Sequence, residues 1–408
     1  MRILLSAYAC EPGKGSEPGV GWHWATELAC LGHEVVVITR TNNRDSIEEA
    51  LRKSPIGGLS FQYYDLPAWA MWWKRGPSGV QLYYLLWQVG AYRQAKWLQR
   101  KRQFDLAHHL TFGMFRQPSF MGRLGIPFIV GPLGGGEMPP AGLLRSFPAR
   151  HRIVETLRII SNRMVHWDPA VFAMFRRATL IFCKTGQTLA TIPKSCQSKC
   201  LVYPEVGIDP ALIAQEVPDR QGSAEFLFVG RIVYWKGLHL AIKALAELLK
   251  IRPDATLTVI GAGPDESRLK KLSSSLGIQD AVRWLGWRPQ QEIWEFYKRH
   301  TALIFPSLHD SSGNVLLEAI SQALPVICLD TGGPGTLISS SFGVKIPVAD
   351  RNEAQVVGNL AAAMQELAGN PELRIQMRRH ALEAARSSTW SNVVSGAYNH
   401  IHAAMAAS

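Results

Sequence analysis

The chain has 408 residues, of which 47% are hydrophobic and 19% are charged, with six cysteines and a formal net charge of +12. This composition is typical of a folded globular protein and excludes disordered, collagen-like and disulfide-scaffold chains. No run of about 18 apolar residues and no signal-peptide pattern occurs, so we expect a protein that neither spans a membrane nor is exported. We therefore expect reduced cysteines and a cytoplasmic location.

Positive charge is concentrated in one part of the chain. Residues 51–200 hold 21 basic and 5 acidic residues, whereas residues 201–408 hold 19 and 20. The basic region also contains a dense run of tryptophan and tyrosine between residues 61 and 100. A basic, aromatic surface is typical of proteins that bind an anionic partner, either nucleic acid or a lipid headgroup layer. The alternative is that the aromatic residues lie in the core and the cations aid solubility.

Short β-rich runs alternate with helical periodicity in both halves, which predicts βαβ units and parallel sheets. In the first half the predicted strands are Arg2–Ser6, Glu34–Thr39, Leu59–Tyr64, Asp105–His109, Pro127–Gly131 and Thr179–Cys183. In the second half they are Glu225–Val229, Thr256–Gly261, Val282–Leu285, Ala302–Phe305 and Pro325–Leu329. Proline, glycine and acidic residues before residue 224 predict an interdomain linker. Near the end, Asn370-Pro371 predicts the start of a helix that continues nearly to Ser408.

This pattern predicts an α/β protein of two Rossmann-like, doubly wound domains. We place the first domain at residues 1–205 and the second at residues 206–386. A C-terminal helix at residues 387–408 is expected to pack back on the first domain. Ligands of such sheets bind at the carboxyl ends of the strands, so we expect the chemistry in an interdomain cleft.

Two glycine-rich segments follow strands of the first half. The first, residues 11–22, contains Gly15 and Gly19 and enters a predicted helix, and the second, residues 131–136, contains Gly134 and Gly135. Glycines let backbone N–H groups approach a phosphate, and a helix N-terminus adds a favourable dipole. The first segment has neither the Rossmann nor the P-loop fingerprint, and a flexible turn is its alternative interpretation, whereas the second segment taken alone is a weak signal.

In the second half, the strand that ends at Val229 leads into a loop with Arg231 and Lys236. Two cations five residues apart on a strand-to-helix loop can both face one diphosphate, the guanidinium in bidentate fashion. A solvated surface pair is the alternative. The next glycine turn, residues 261–263, is followed by Glu266 where a dinucleotide fingerprint needs a third glycine. That difference argues against a nicotinamide cofactor.

The most informative block covers residues 305–320 and holds two carboxylates eight positions apart, Asp310 and Glu318. With Gly313 at a bend, the two backbone amides that follow it can face an anionic group. Glu318 can accept hydrogen bonds from neighbouring hydroxyls, which is a common way to hold a ribose or a sugar. The alternative is a capped amphipathic helix with Glu318 in an ion pair.

At these residues the chain resembles the family 4 retaining glycosyltransferases of the GT-B fold. The resemblance covers nearly the whole chain, and its specific part is the cationic loop together with the spacing of the two carboxylates. Three residues depart from the family pattern. Asp310 replaces a glutamate, Ser16 interrupts a usual pair of glycines, and Thr336 stands where a glutamate often follows Gly-Gly-Pro.

The resemblance implies a donor domain in the second half. Arg231 and Lys236 would neutralise the diphosphate of a nucleotide-sugar donor. Glu318 would bind the ribose, and Asp310 would lie beside the donor sugar. The other donor-binding residues that the resemblance implies are Gly15, Gly19, Arg288, Gly313, Asn314 and Val315, with Arg288 near the base.

The resemblance also implies an acceptor domain in the first half. The family's Asp-x-x-His-x-His motif corresponds here to residues 105–110, with leucine in place of the second histidine. The acceptor would therefore face either His108 or His109, with Gly134 and Gly135 on the same side. His109 is the candidate for catalytic positioning.

The implied reaction is a retaining transfer of a hexose from a UDP- or GDP-linked donor to a saccharide acceptor, by front-face attack. Two fixed cations and a helix N-terminus can stabilise the leaving diphosphate, so no metal or other cofactor is expected. The alternatives are a nucleotide-sugar epimerase, a phosphorylase, or a non-catalytic saccharide- or nucleic-acid-binding protein. The chain lacks a recognised nucleic-acid module, so nucleic acid is not the expected partner.

Residues 85–102 predict an amphipathic helix with an aromatic side and the cations Arg100, Lys101 and Arg102 at its end. Such a helix can lie on an anionic leaflet. We therefore expect a lipid-linked or oligosaccharide acceptor in surface polysaccharide synthesis, and peripheral attachment to the inner face of the cytoplasmic membrane. The oligomeric state is left open.

Overall fold

The computed structural model describes residues 1–71, 79–144, 147–217 and 224–407. Part of the aromatic run and part of the predicted linker fall outside these residues. The chain divides into two compact units, each built on a parallel sheet, as the sequence predicts. The first unit comprises Met1–Gly136, Ser161–Val206 and Trp390–Ser408, and the second comprises Glu137–Ile160 and Gly207–Thr389.

The sheet of the first unit has seven strands in the order β3-β2-β1-β4-β5-β6-β7. They are β1 (Arg2–Ser6), β2 (Glu34–Thr39), β3 (Leu59–Tyr63), β4 (Leu106–His109), β5 (Phe128–Leu133), β6 (Leu180–Cys183) and β7 (Cys200–Val202). The first six match the predicted strands. The sequence pattern misses β7 because three residues carry too little periodicity to identify an edge strand.

The sheet of the second unit has six strands in the order β10-β9-β8-β11-β12-β13. They are β8 (Glu225–Val229), β9 (Thr256–Ile260), β10 (Val282–Gly286), β11 (Ala302–Phe305), β12 (Val326–Leu329) and β13 (Gly343–Ile346). Every named pairing is parallel. The pattern misses only the edge strand β13, in which glycine and lysine interrupt the apolar run.

Helices connect the strands and cover both sheets. They are α1 (Ser16–Cys30), α2 (Arg44–Lys53), α3 (Val80–Arg102), α4 (Ala141–Leu144), α5 (Ala149–Met164), α6 (Pro169–Arg177), α7 (Gly186–Thr191), α8 (Leu238–Leu249), α9 (Glu266–Ser275), α10 (Gln290–Arg299), α11 (Asn314–Ser321), α12 (Gly332–Leu337), α13 (Glu353–Gly369), α14 (Pro371–Ser387) and α15 (Trp390–Ala406). Helix α14 begins as predicted, because the Asn370 side chain accepts a hydrogen bond from the Leu373 amide at 3.0 Å. It does not continue to the end of the chain, since residues 388 and 389 separate it from α15.

Helix α15 belongs to the first unit although it follows the second in sequence. Val394 and Ile401 are fully buried in the apolar cluster that also contains Trp24 of α1. The Tyr398 hydroxyl lies 3.3 Å from Nδ1 of His108 on β4. The last helix therefore completes the core on one face of the first sheet.

The segment 137–160 groups with the second unit, whereas the predicted boundary at residue 205 placed it in the first. Contacts of helix α5 explain why most of this segment groups with the second unit. Glu155 of α5 accepts hydrogen bonds from Tyr234 and His309, which belong to that unit. A long-range side-chain contact of this kind leaves no local pattern in the sequence.

Helix α3 uses most of its aromatic side chains inside the first unit. Tyr84 and Trp87 are buried, and the ring of Tyr8 meets each of them edge-on with centroids 5.1 Å apart. Leu86 and Trp97 remain exposed. This part of the aromatic run is therefore core, as the alternative interpretation predicts. Among the described residues, no helix combines the length and the apolar character that crossing a bilayer requires.

We expect Ile401→Ala to destabilise the first unit by about 2 to 5 kcal/mol, because it leaves a cavity beside α1. Asn399→Ala changes an exposed residue of the same helix, and its effect should stay within about 0.5 kcal/mol. Urea unfolding followed by tryptophan fluorescence measures both. Equal effects of the two substitutions would show that α15 is not part of the core.

Candidate functional site

Two loops of the second unit meet where the order of the sheet reverses. Strands β8 and β11 are neighbours in the sheet, although two strands and three α-helices separate them in sequence. The loop after β8 (residues 230–237) and the loop after β11 (residues 306–313) therefore leave the sheet side by side at its carboxyl edge. Ligands of doubly wound sheets bind at such a reversal.

Backbone contacts hold these two loops together. The Leu308 amide donates to the Trp235 carbonyl at 2.7 Å, and the Ser307 hydroxyl donates to the same oxygen at 3.2 Å. Gly237 has a φ of +70°, and a Cβ at this position would overlap the Pro306 carbonyl oxygen. Only glycine therefore permits this approach of the two loops.

An ion pair joins the side chains of the same loops. Lys236 Nζ donates to Asp310 Oδ2, and the Ser307 hydroxyl lies 3.4 Å from that oxygen. The ammonium also lies 4.8 Å from the centroid of the Phe305 ring. Both charged side chains are only about one-fifth exposed, at 19% and 21%, so water and salt screen the pair less than a surface pair.

Arg231 stands at the start of the β8 loop, and its side chain is exposed. The backbone around it is fixed, because the Ile232 amide donates to the Ala262 carbonyl at 3.0 Å. The structure thus places both predicted cations on one rigid loop, with Lys236 in an ion pair and Arg231 facing solvent.

Helix α11 begins directly after the β11 loop. Gly313 precedes its first turn and is buried. The amides of Asn314 and Val315 belong to that first turn, where a helix offers no internal acceptor. From the other side, the Gly333 amide donates to the Asp310 carbonyl at 2.6 Å, which fixes the turn that contains the aspartate.

Glu318 lies farther along α11, and residues of α10 hold its carboxylate. The Tyr297 hydroxyl donates to Oε2 at 2.8 Å, and Gln290 Nε2 donates to Oε1 at 3.0 Å. Burial raises the pKa of Glu318, although both hydrogen bonds act in the opposite direction. The hydroxyl that donates to Glu318 in the structure belongs to a tyrosine of the protein, and the predicted contact with a ribose stays a prediction.

Arg288 lies on the surface between β10 and α10, and it forms an exposed ion pair with Glu292 at 3.5 Å. Its neighbour Trp287 is also largely exposed. Gln290, two residues beyond Arg288, contacts Glu318 directly. The predicted base-binding residue is therefore close in sequence to residues that contact Glu318, whereas its own side chain pairs with Glu292.

A buried carboxylate that sequence analysis did not identify joins the two loops a second time. Glu155 of α5 is 1% exposed, and its Oε1 accepts from the Tyr234 hydroxyl at 2.6 Å and from His309 Nε2 at 2.9 Å. Its Oε2 accepts from Arg158 Nε at 2.9 Å. The His309 ring stacks on Trp235. Tyr234 and Trp235 precede Lys236, and His309 precedes Asp310, so this cluster directly supports the ion pair.

The charge of Glu155 is strongly favoured in the folded state. Burial raises its pKa, but the hydrogen bonds from His309 and Tyr234 and the nearby positive groups outweigh burial and lower the pKa to about 2. Glu155 is therefore ionised at neutral pH, and it presents a fixed negative charge behind the β11 loop.

In the first unit, the predicted glycine turn follows β1 and leads into α1. Gly15 precedes the helix, and a Cβ at Gly19 would overlap the Lys14 carbonyl oxygen. Ser16 has a φ of +59°, in the left-handed region that glycine adopts at little cost. The residue that departs from the family's glycine pair therefore keeps a glycine-like backbone conformation.

The two candidate histidines of β4 have different environments. His108 Nε2 donates to the Gly131 carbonyl at 2.8 Å, and its Nδ1 lies 3.3 Å from the Tyr398 hydroxyl. Both ring nitrogens therefore form contacts inside the core of the first unit. His109 Nε2 lies 3.1 Å from the Tyr84 hydroxyl, and within the described residues its Nδ1 is buried without a hydrogen-bond partner. Burial lowers the pKa to about 4 for His108 and to about 3 for His109, so both are neutral at pH 7. Of the two, His109 is the one with a ring nitrogen that has no hydrogen-bond partner among the described residues, and that nitrogen is buried.

Gly134 and Gly135 follow β5 and are held by backbone and amide contacts of the first unit. The Gly134 amide donates to the Gly113 carbonyl at 2.8 Å, and Asn162 Nδ2 donates to the Gly135 carbonyl at 3.2 Å. These residues are thus ordered parts of the first unit.

We expect Glu155→Gln to remove a stabilising charge. The folded pKa lies below the usual value near 4.5, so this stabilisation is complete above that value and declines as the pH falls toward 2. The wild type should be roughly 2 to 3 kcal/mol more stable than the variant at pH 7, and the difference should shrink in acid. Thermal unfolding from neutral to acidic pH measures it, with Glu247→Gln, an exposed carboxylate, as the control. A difference that does not change with pH would contradict this assignment.

Residues 212–384, in the second unit, match the family model of glycosyl transferases group 1. The chain is also 32% identical over 176 residues to a glycogen synthase of Mycobacterium tuberculosis. The match covers 43% of this chain and 41% of that protein, so it spans about two fifths of the length of that curated relative.

Solved structures are similar over nearly the whole chain. A sucrose-phosphate synthase from Thermosynechococcus elongatus has a TM-score of 0.68 at 18% identity and is covered over 100% of both chains. Anabaena HepE in complex with UDP and glucose has a TM-score of 0.56 at 14% identity and is covered over 99% of both. At such identities the likeness concerns the fold. Residues 212–384 of the second unit are therefore similar to glycosyl transferases group 1, and the chain as a whole has the two-sheet GT-B fold.

Proposed function

We propose that the protein is a retaining glycosyltransferase that moves a hexose from a nucleotide-diphosphate sugar to a saccharide acceptor. The observation that carries this proposal is the pair Lys236–Asp310, which lies between two rigid loops and directly before the first turn of α11. A cation, a carboxylate and exposed helix amides within one loop pair match the charge pattern of a sugar diphosphate. The group 1 match of this unit supports the same chemistry.

Donor binding would exchange the partners of Lys236. In the structure the ammonium donates to Asp310. A diphosphate carries more negative charge than one carboxylate, so Lys236 would turn to the phosphate together with Arg231. Asp310 would then be released toward the hydroxyls of the donor sugar. Cations and first-turn amides that face the bridging oxygen would stabilise the charge that develops as the sugar–phosphate bond breaks.

The nucleoside would lie toward α10. Glu318 would accept from the ribose hydroxyls, and its raised pKa indicates a partly desolvated carboxylate that gains from two added donors. Arg288 would lie beside the base. HepE binds UDP and glucose, which favours a UDP-linked hexose, with a GDP-linked donor as the second candidate.

The proposal includes retention of the configuration at the anomeric carbon without a metal ion. A double displacement would need a carboxylate placed as a nucleophile at the anomeric carbon. In this proposal Asp310 contacts the hydroxyls of the donor sugar once Lys236 turns to the phosphate, so it is not assigned as that nucleophile. We therefore favour front-face attack, in which the leaving phosphate accepts the proton of the acceptor hydroxyl. His109 would position the acceptor as a neutral imidazole, because burial lowers its pKa to about 3.

The acceptor is proposed to be a lipid-linked or oligosaccharide substrate of surface polysaccharide synthesis, met at the inner face of the cytoplasmic membrane. The excess of cations in residues 51–200 supports this, since an anionic leaflet attracts basic surfaces. At the end of α3, Arg100 and Lys101 are exposed, and Lys101 lies 3.9 Å from the centroid of the Trp97 ring.

We expect the donor-site variants Lys236→Met and Glu318→Ala to bind UDP roughly 10- to 100-fold more weakly than the wild type, because each loses a charged contact. Donor hydrolysis should fall by about 10²-fold or more. Calorimetry with UDP and GDP and a hydrolysis screen across UDP- and GDP-sugars measure these effects. Lys271→Met, an exposed lysine of the same unit, is the control and should behave as the wild type.

Two results would oppose the proposal. If the wild type bound neither nucleotide, the second unit would not be a donor site. If Glu318→Ala hydrolysed donor as fast as the wild type, the ribose assignment would be wrong. Rapid donor turnover to an isomeric sugar nucleotide without an acceptor would instead identify an epimerase.

We expect reversal of Arg100, Lys101 and Arg102 to glutamate to reduce sedimentation with anionic liposomes at least about tenfold at low salt, since each cation near the surface contributes about 1 kcal/mol. Reversal of Lys250, Lys270 and Lys271, which are exposed in the second unit, serves as the control. If the reversal of Arg100, Lys101 and Arg102 left liposome binding unchanged, α3 would not be part of the membrane-binding surface.

A further inference from the structure

Helix α5 has its polar and apolar sides reversed relative to an ordinary helix of a folded core. Its buried positions include Glu155 and Asn162, which form hydrogen bonds inside the protein. Its exposed positions include large apolar side chains. In a core-facing helix the apolar stripe is the buried one, so this arrangement requires a separate explanation.

Four exposed apolar residues of α5 form one continuous stripe. Ile153, Leu157, Ile160 and Met164 are spaced by four, three and four positions, which places them on one side of the helix. Their exposed fractions are 62%, 61%, 47% and 56%. Trp167 follows three residues later and is 84% exposed. Contiguous exposed apolar patches of this kind mark interaction surfaces.

The charges beside this stripe all have one sign. Arg150, Arg152 and Arg163 are exposed. Glu155 is the only acidic residue of α5, and it points inward to Tyr234. The outward surface of the helix is therefore apolar along its centre and cationic at both ends.

We propose that the outward face of α5 is an interfacial surface that inserts into the headgroup layer of an anionic bilayer. An apolar stripe with flanking arginines and an exposed tryptophan matches a surface that has acyl chains below and phosphates above. Self-association through the stripe is disfavoured, because a two-fold pairing of antiparallel helices brings the arginines at opposite ends together. The inference gives the proposed membrane attachment a second surface besides α3, and it does not depend on the donor chemistry.

The test compares an α5 variant with a matched control. Ile153→Glu with Leu157→Glu replaces two exposed residues of the stripe, and Ile251→Glu replaces a residue of the same unit that is 60% exposed and lies outside α5. Flotation with phosphatidylglycerol–phosphatidylcholine vesicles and with pure phosphatidylcholine vesicles, at low and high salt, measures binding. We expect the α5 variant to lose binding to anionic vesicles at least about tenfold and Ile251→Glu to retain it.

A second measurement locates the surface without removing it. Leu157→Cys, in a chain that also carries Cys30→Ser, takes a polarity-sensitive dye, and the same dye at Ile251→Cys provides the comparison. Anionic vesicles should shift the emission of the dye at position 157 to the blue and leave that at position 251 unchanged.

The outcomes separate this inference from the proposed function. Equal vesicle binding by wild type and α5 variant, or no blue shift at position 157, overturns it. A wild-type dimer in light scattering that the α5 variant abolishes, without vesicle binding, shows that a second copy occupies the stripe and also overturns it. UDP calorimetry on the α5 variant should match the wild type. Loss of vesicle binding with intact UDP binding confirms the surface, whereas absent UDP binding in the wild type contradicts only the donor assignment.

Discussion

The ion pair between Lys236 and Asp310 is the interaction on which the proposed chemistry depends. It joins two loops that are far apart in sequence, and the sheet order brings them together because β8 and β11 are neighbours. The pair keeps two opposite charges in a partly buried position before any ligand arrives, where each offsets the desolvation of the other. In the proposed function a diphosphate would take the place of the carboxylate at Lys236, and Asp310 would then accept hydrogen bonds from sugar hydroxyls.

The support behind this pair explains why the loops are rigid. Glu155 accepts from Tyr234 and His309, each of which lies within two residues of a member of the pair. A buried carboxylate with three hydrogen-bond donors has few alternative arrangements. Loss of this carboxylate would leave the His309 and Tyr234 donors to find other acceptors. The segment 137–160 therefore belongs to the second unit for an electrostatic reason, in addition to its apolar packing.

The sequence predicts much of this architecture, and the failures have physical causes. Interior strands are apolar runs that pattern alone identifies, whereas β7 is an edge strand of only three residues and β13 is an edge strand that glycine and lysine interrupt. The β8 and β11 loops could be located because their cations, carboxylates and glycines are closely spaced. Glu155 could not, because 79 and 154 positions separate it from its two partners and a lone glutamate in a basic helix looks like a surface residue. His108 resembles a ligand in sequence, but its two hydrogen bonds to Gly131 and Tyr398 show a core role.

Helix α5 shows why amphipathicity in sequence does not by itself identify the core face. Its apolar residues repeat with the spacing of a core stripe, and its arginines suggest a solvated side, yet the structure buries the side that carries Glu155. Two hydrogen bonds to the Glu155 carboxylate, from Tyr234 and His309 outside the helix, determine which side is buried, because a charged group is far more costly to leave unpaired than an isoleucine is to expose. Once Glu155 faces inward, the position of every other residue on the helix is fixed, and the apolar stripe must face outward. The exposed stripe is therefore a geometric consequence of the same contact that supports the Lys236–Asp310 pair. Substitutions on the inner side of α5 should consequently affect the β8 and β11 loops. Substitutions on the outer side should affect the proposed binding to an anionic bilayer.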